Sequence, residues 1–361
     1  MNEDLLTSRP RILLVKLSSF GDVLHTLPTL EALRAAYPEG RLTWLVEAAY
    51  APLLSGHPAL DEVWEAPRIR PGNFFKGTNP AIFGGLLRRL RARDFDLVLD
   101  LQGLLKSAVW VFLSRSPRKV GYDRTREGSY LVLTERVPPY DPEAHAVWRY
   151  LNLAHYLGAP VAAPSAAPSA APPALPRFRL GLDAGVDLGP LIPQAGRRPL
   201  AVLHPGARWT SKLWPAAGWA RLAQWLRAEK GFQVAVTGAA ADRDLAAQIC
   251  AGLRQPVINL AGRTDLAQLA GVLKAARLAV TTDTGAMHLA AALGTPVAAL
   301  FGPTAPWRTG PFGNGHEIVR LELPCSPCFK RQCPEPRCLL DLPVAMVEAA
   351  CEKILSRGEV N

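Results

Sequence analysis

LAVTTDTGAMHLAAALGTPVAALFG, Leu278–Gly302, holds a strand, a turn, a short helix opening at Gly285 and a second strand in twenty-five residues. Short apolar runs alternating with helical spacing imply parallel strands joined by helices. The alternation extends upstream: PLAVLHPG from Pro199, a helix opening at Pro215, FQVAVTG from Phe232, a helix through Ala247, VINLAG from Val257 and a helix through Leu273. Residues 198–342 therefore read as one doubly wound domain. Beyond it, Val344, Val347, Ala350 and Ile354 are spaced for one helical face, so 343–361 is expected to be a C-terminal helix packed back on the body.

In the opposite direction lies APVAAPSAAPSAAPPALP, Ala159–Pro176, where periodicity stops. Pro and Ala at this density make a semi-rigid spacer without a core of its own, and 159–197 is read as the linker region. Ahead of it the alternation reappears in RILLVKL, a helix from Asp22, RLTWLVE, DEVWEA, a helix ending near Arg93, and DLVLDL. Residues 1–158 thus form a second domain of the same class. The expected architecture is α/β, with two Rossmann-like doubly wound parallel-sheet domains facing a central cleft and chemistry in the loops at the strands' carboxyl ends.

Composition fits. A chain of 361 residues exceeds one ordinary core, and 49% hydrophobic residues support two. No run of eighteen apolar residues is free of charge, Gly or Pro, and the opening MNEDLLTSRP is acidic, so a cytoplasmic protein is expected. A net charge of +10 suits nucleic acid, an anionic membrane or an acidic substrate. Many of the cations fall between Arg68 and Arg126, including Arg88, Arg89, Arg91 and Arg93. Nucleic acid is disfavoured, because the chain lacks clustered aromatics on a basic strand face and a recognition helix.

Three turns carry candidate chemistry. After the first strand, Lys16, Ser18 and Ser19 lead to Asp22 without the GxGxxG that a dinucleotide requires. Asp22 is read as a base for an acceptor hydroxyl, the alternative being an ordinary helix cap. In the second domain HPGARWTSKLWP, His204–Pro215, offers Gly206, Thr210, Ser211 and Lys212 to phosphate, and Asp283, Thr284 and Gly285 open a helix bearing His288. Exposed amides at a positive helix end favour a diphosphate. Asp242 follows a strand and suits a ribose. Asp94-Phe95-Asp96 resembles a metal-binding DxD string but stands at the wrong end of its strand. Cys325, Cys328, Cys333 and Cys338 are spaced for a structural zinc or iron–sulfur cluster, with free or redox-labile thiols as the alternative.

KLSSFGDVLHTLP, DLQGLLKSA, HPGARWTSKLWP and TTDTGAMHLAAALGTPVAALFGPT together resemble glycosyltransferase family 9, the lipopolysaccharide heptosyltransferases, over nearly the whole chain. The resemblance implies the GT-B fold, an N-terminal acceptor domain, a C-terminal ADP-heptose domain, inversion at the anomeric carbon and no metal or other cofactor for catalysis. It implies Asp22 and Lys212 as catalytic residues and Gly206, Thr210, Ser211, Asp242, Asp283, Thr284, Gly285 and His288 on the donor. The family often carries a glutamate where Asp242 stands. On the acceptor side it implies Lys16, Ser19, Gln102, Lys106, Arg124, Arg126 and His145. These resemble the first heptosyltransferase, whereas the cysteine-rich stretch resembles chains labelled as the second. The implied partners are ADP-heptose, a lipid-linked inner-core (Kdo) acceptor and the anionic cytoplasmic face of the inner membrane, for a peripheral, monomeric enzyme.

Overall fold

The computed structural model describes residues 9–69, 80–161, 178–182, 185–193, 198–251, 253 and 256–357. Most of the Ala/Pro-rich linker, 162–177, lies outside the described residues. The chain divides into two compact units, Met1–Leu182 and Asp183–Asn361.

Unit 1 runs β1 (Arg11–Val15), α1 (Phe20–Ala36), β2 (Arg41–Glu47), β3 (Glu62–Ala66), α2 (Pro80–Arg91), β4 (Leu97–Asp100), α3 (Leu105–Leu113), β5 (Arg118–Tyr122), β6 (Glu135–Val137) and α4 (Ala146–Tyr156). Its strands lie in the order β3-β2-β1-β4-β5-β6, every pair parallel. β1 and β4 are central and almost entirely buried, which is why RILLV and LVLD read as continuous apolar runs. α1 packs against α4 and buries Val23, Leu24, Leu27, Leu30 and Leu33. Beneath the other face lie Trp64, Phe95, Val98 and Trp110, the Trp64 and Phe95 rings meeting edge to face at 5.8 Å.

Unit 2 runs β7 (Leu200–His204), α5 (Ala216–Ala228), β8 (Gln233–Val236), α6 (Arg243–Ala251), β9 (Ile258–Asn259), α7 (Leu266–Ala275), β10 (Ala276–Thr282), α8 (Gly285–Ala292), β11 (Val297–Leu300), α9 (Pro306–Thr309), β12 (Glu317–Val319), α10 (Arg337–Leu340) and α11 (Val344–Arg357). The order β9-β8-β7-β10-β11-β12 repeats that of unit 1, again all parallel. Pro215 caps α5 from outside its first turn, one residue earlier than the sequence suggested. α11 buries Val347, Ala350, Cys351 and Ile354 in the cluster that also holds Trp219 and Leu222. Trp214 donates from Nε1 to the Leu342 carbonyl at 3.0 Å, and its ring lies where a Cβ on Gly218 would approach to 2.6 Å. No described helix is long and apolar enough to cross a membrane.

Candidate active site

A sheet of this order reverses direction between its two central strands, and the loops leaving their carboxyl ends part to leave a crevice. In unit 1 those loops follow β1 and β4; in unit 2 they follow β7 and β10.

β1 delivers Lys16 into the interior, where it is 1% exposed. Its Nζ donates to the Leu101 carbonyl at 3.1 Å and to the Tyr150 hydroxyl at 2.7 Å. α1 begins at Phe20 with Ser19 as its cap, so Asp22 is the third helical residue, where the sequence placed the helix start. Its Oδ2 accepts the Ser19 amide at 3.1 Å and the Ser19 hydroxyl at 2.7 Å, while Oδ1 accepts the Tyr150 hydroxyl at 3.1 Å. Burial pushes the Asp22 carboxyl up, but the Lys16 ammonium, the two Ser19 bonds and the Tyr150 bond more than reverse that, leaving it below the ordinary value. Burial pulls Lys16 down to about 8 against the attraction of Asp22 and Asp100.

The β4 loop holds this arrangement from the other side. Gln102 Oε1 accepts the Leu17 and Ser18 amides at 3.1 and 3.0 Å. Asp100 in turn accepts the Gln102 and Gly103 amides on Oδ1, at 3.0 and 3.1 Å, and the Ser107 hydroxyl on Oδ2 at 3.2 Å. Lys106 reaches the Ser18 hydroxyl and, at 2.8 Å, the buried carboxylate of Glu47. Lys16, Ser19, Gln102 and Lys106 are therefore brought together around Asp22. His145 caps α4, its Nδ1 accepting the Val147 amide at 3.3 Å, and its ring meets that of His25 at 5.2 Å. Arg124 and Arg126 are exposed, and no bond among the described residues ties them to the network. Arg124 has a left-handed backbone, φ 50°, with its Nε 3.7 Å from Asp123.

Tyr150, Arg149 and Glu47 were not singled out in the sequence. Arg149 Nε is buried with no hydrogen-bond partner among the described residues, and its charge acts on both Lys16 and Tyr150. Tyr150 and Arg149 sit on α4, on a segment without motif or turn residues. Only the helical spacing of AVWRYLNLAHY could have drawn attention to them.

In unit 2, β7 ends at His204, and Thr210–Lys212 forms a short 3₁₀ turn. Lys212 Nζ pairs with Asp283 Oδ2 at 2.5 Å and stands 4.4 Å from the centre of the Trp209 ring. Asp283 also accepts the Thr304 hydroxyl at 2.6 Å, so it is the partner of Lys212 and its carboxylate is turned into the protein. Ser211 is likewise turned inward: its hydroxyl donates to the Lys330 and Arg331 carbonyls at 2.7 and 3.1 Å. Thr210 is exposed. Thr284 caps α8, whose first turn holds Gly285 and His288, both half-buried. The amides that open such a helix have no i−4 partner within it, and of those in α8 the Met287 amide bonds the Thr284 carbonyl at 3.1 Å. Gly206 is needed where it stands, since a Cβ there would lie 2.4 Å from the Asp242 carboxylate. Asp242 ends a 3₁₀ turn and accepts the Ala239 amide on Oδ2 at 2.7 Å. His204 is pulled down to about 4 by burial, with Asp242 opposing, and its Nδ1 lies 2.9 Å from the Thr237 hydroxyl.

The four-cysteine segment does not form the expected ligand set. No group of three or more His, Cys, Asp or Glu side chains among the described residues is placed to hold a metal ion. Cys325 is exposed, Cys328 and Cys333 are half-buried, and Cys338 is buried against Gly302; burial first and then the charges of Cys328, Cys325 and Cys333 raise the Cys338 thiol above its ordinary value. The segment braces the Thr210–Lys212 turn through Ser211, and the loop after β11 through the Phe329 amide on the Pro303 carbonyl at 2.7 Å. Asp94 and Asp96 flank the start of β4, where Arg115 and Arg11 engage them.

Residues 84–339 match the family model for glycosyltransferase family 9 (heptosyltransferase). The chain is 37% identical to lipopolysaccharide heptosyltransferase 1 of Pseudomonas aeruginosa, over 92% of this chain and 91% of that protein. Among solved structures it resembles E. coli ADP-heptose lps heptosyltransferase II, with 28% identity, a TM-score of 0.74 and coverage of 97% and 99% of the two chains. E. coli heptosyltransferase WaaC with ADP matches with 28% identity, a TM-score of 0.72 and coverage of 95% and 99%.

Proposed function

The chain belongs to glycosyltransferase family 9, and on that premise we propose that it is heptosyltransferase 1, moving L-glycero-D-manno-heptose from ADP-heptose to the Kdo region of lipid-linked inner-core lipopolysaccharide. The observation that carries the reading is the Asp22 carboxylate, ionised and fixed through both its oxygens at the carboxyl edge of the unit 1 sheet. An acceptor hydroxyl gives its proton to Asp22 as its oxygen bonds to the anomeric carbon. The bond from that carbon to the β-phosphate oxygen breaks on the opposite face, and ADP departs with the electron pair.

Unit 2 neutralises the leaving group. An ammonium has three donors, and the contacts of Lys212 to Asp283, at 2.5 Å to Oδ2 and 3.4 Å to the carbonyl, leave one for phosphate. The α8 amides, opened by Thr284 and Gly285, supply the remaining positive potential, and the reaction is assigned no metal. Asp242 keeps Oδ1 for a ribose hydroxyl. The cations of unit 1 suit the carboxylates of the acceptor, among them Lys106 and Arg149, whose Nε has no hydrogen-bond partner among the described residues. The exposed Arg88 and Arg91 suit peripheral contact with the anionic cytoplasmic face of the inner membrane, as a monomer.

A second reading, heptosyltransferase 2, is favoured by the structural likeness to that enzyme and differs only in the acceptor. The test is mass spectrometry of products formed from ADP-heptose and lipid-linked core acceptors carrying no heptose or one. One heptose added to the unsubstituted acceptor, at a rate unchanged by EDTA, is expected. Conversion of the monoheptosylated acceptor alone would replace this reading with the second, and transfer to neither would overturn both.

A further inference from the structure

Asp22 and Lys16 are a carboxylate and a buried ammonium at the same end of unit 1, yet they are not bonded to each other: the Tyr150 phenol stands between them. Its oxygen accepts from Lys16 Nζ at 2.7 Å, and its hydrogen goes to Asp22 Oδ1 at 3.1 Å. A phenol can do both at once, whereas no apolar ring of the same shape can do either. The ring also lies against the ammonium, with Nζ 4.3 Å from its centroid. Tyr150 is anchored by its place on α4, next to the buried start of that helix at Ala146 and Val147, and by packing of α4 on α1. α1 carries Asp22 itself, so the phenol bond joins the tip of one packed helix to the middle of the other.

We propose that Tyr150 is a positioning residue for the transfer reaction: its hydroxyl aims the Asp22 carboxylate and couples it to Lys16, so that one phenol sets both the direction and the strength of the base. With Oδ2 held by two bonds from Ser19 and Oδ1 by one from Tyr150, the carboxylate cannot rotate about its Cβ–Cγ bond without breaking all three. Donation to the ionised form also stabilises it, so the base remains unprotonated in neutral solution at some expense of basicity. The charged and titratable groups facing this trio are Asp100 from β4, Lys106 from α3, Tyr122 from β5 and Arg149 from α4. Burial and the Asp22 charge hold the Tyr150 phenol well above its ordinary range, so the hydroxyl keeps its proton throughout the working range.

This inference rests on Asp22 being the base, and the experiment separates the two. Three variants are assayed with ADP-heptose and lipid-linked Kdo acceptor across pH: Tyr150→Phe, 3-fluorotyrosine incorporated at position 150, and Asp22→Asn. Removing a bond to a charged group should lower kcat of Tyr150→Phe about ten- to a hundredfold. The acidic limb of its rate profile should move up by about one pH unit, because the ionised base loses a donor. The fluorinated phenol is a stronger donor of nearly unchanged shape, so its acidic limb should move down. ADP affinity, measured by calorimetry, should stay at the wild-type value in every variant.

Opposite displacements of the limb by the two Tyr150 variants support the coupling, since a residue that merely packs would move neither. If Tyr150→Phe fails to fold, the fluorinated protein alone decides, a downward limb supporting the proposal and an unmoved limb overturning it. Wild-type profiles in both Tyr150 variants with an inactive Asp22→Asn would overturn the role of Tyr150 and leave the base intact. An active Asp22→Asn would remove the base and the proposal with it.

Discussion

Two sheets with the same strand order end in opposite chemistry. At the reversal of unit 1, Ser19 after β1 and Tyr150 from α4 surround a carboxylate with donors, and a buried ammonium, Lys16, stands behind it. At the reversal of unit 2, the residues after β7 and β10 surround an ammonium with acceptors, Asp283 and the Trp209 face, and place glycines and a helix start beside it. One fold therefore presents a caged carboxylate in one unit and a caged ammonium in the other, which the proposed function uses as proton acceptor and anion cradle. The difference is made by which side chain the first loop carries, because the strand geometry beneath is shared.

The comparison breaks most visibly at Asp22. Asp22→Ala should lower turnover by on the order of 10² to 10⁴, as loss of a general base commonly does, while ADP affinity stays within a few-fold. Steady-state kinetics with calorimetry for ADP check it. A variant that keeps a third or more of the activity would make Asp22 a helix-cap residue only.

Lys212→Ala should act on the other unit, weakening ADP-heptose binding and lowering turnover together by roughly ten- to a hundredfold, as loss of a charged hydrogen bond to the leaving group does. Asp283 would then be a buried carboxylate deprived of its cation. Lys212→Ala with Asp283→Asn should accordingly be more thermostable than Lys212→Ala alone, by differential scanning calorimetry. Equal melting temperatures would show that the pair is solvated and does not orient the lysine.

Much of this could be read from the chain, and the exceptions have physical causes. β1, β2, β4, β7, β8, β10 and β11 are central or long enough to be nearly pure apolar runs. β5 and β6 escaped notice because RKVGY and ERV are short, lie toward one edge and carry charges, Arg118 pairing with Glu135 across them. The places of Asp22, Lys212 and the α8 turn at strand ends were legible because each lies in a short local stretch between a strand and a helix. Tyr150 was not, because its function comes from the packing of α4 on α1, which joins residues 128 positions apart. Ser211 and Asp283 were found but given ligand roles. Sequence shows that a polar group is present at a turn but not whether it points outward, and both of these point in.

The basic helix α2 teaches the same lesson at smaller cost. Arg89 and Arg93 converge on Glu62, Arg89 at 2.7 Å, and stack over the Trp64 ring at 4.2 and 5.2 Å, whereas the side chains of Arg88 and Arg91 engage no carboxylate or ring among the described residues. The four are thus two pairs with different work. Arg88→Gln with Arg91→Gln should weaken binding to anionic liposomes and leave the melting temperature unchanged. Arg89→Gln with Arg93→Gln should lower the melting temperature by about 2–4 °C, the size expected for about 1 kcal/mol in a domain of this length. Liposome flotation and calorimetry on both double variants check the division. The reverse pattern would return all four to a single surface.

The last effect is the acid response of unit 2, and its pH window distinguishes His204 from Glu62 of unit 1. Burial holds His204 near 4 against an ordinary 6.5, with Asp242 pulling the other way. The unfolded chain therefore takes up the proton first as the solution is acidified. The contribution of neutral His204 to stability is complete above about 6.5 and is lost as pH falls from there toward 4. Glu62 differs in window: burial raises it, but Arg93, Trp64, Arg41 and Arg89 bring it down to about 2. Its contribution is lost only as pH falls from about 4.5 toward 2. His204→Gln keeps an amide within reach of the Thr237 hydroxyl and cannot titrate. It should melt below wild type at pH 7, with the gap closing between pH 6.5 and 4, while the gap for Glu62→Gln should hold through that range and close only below it. A constant gap for His204→Gln from pH 7 to 4 would mean that the imidazole takes its proton without leaving its place, and that the end of β7 is open to water in the folded unit.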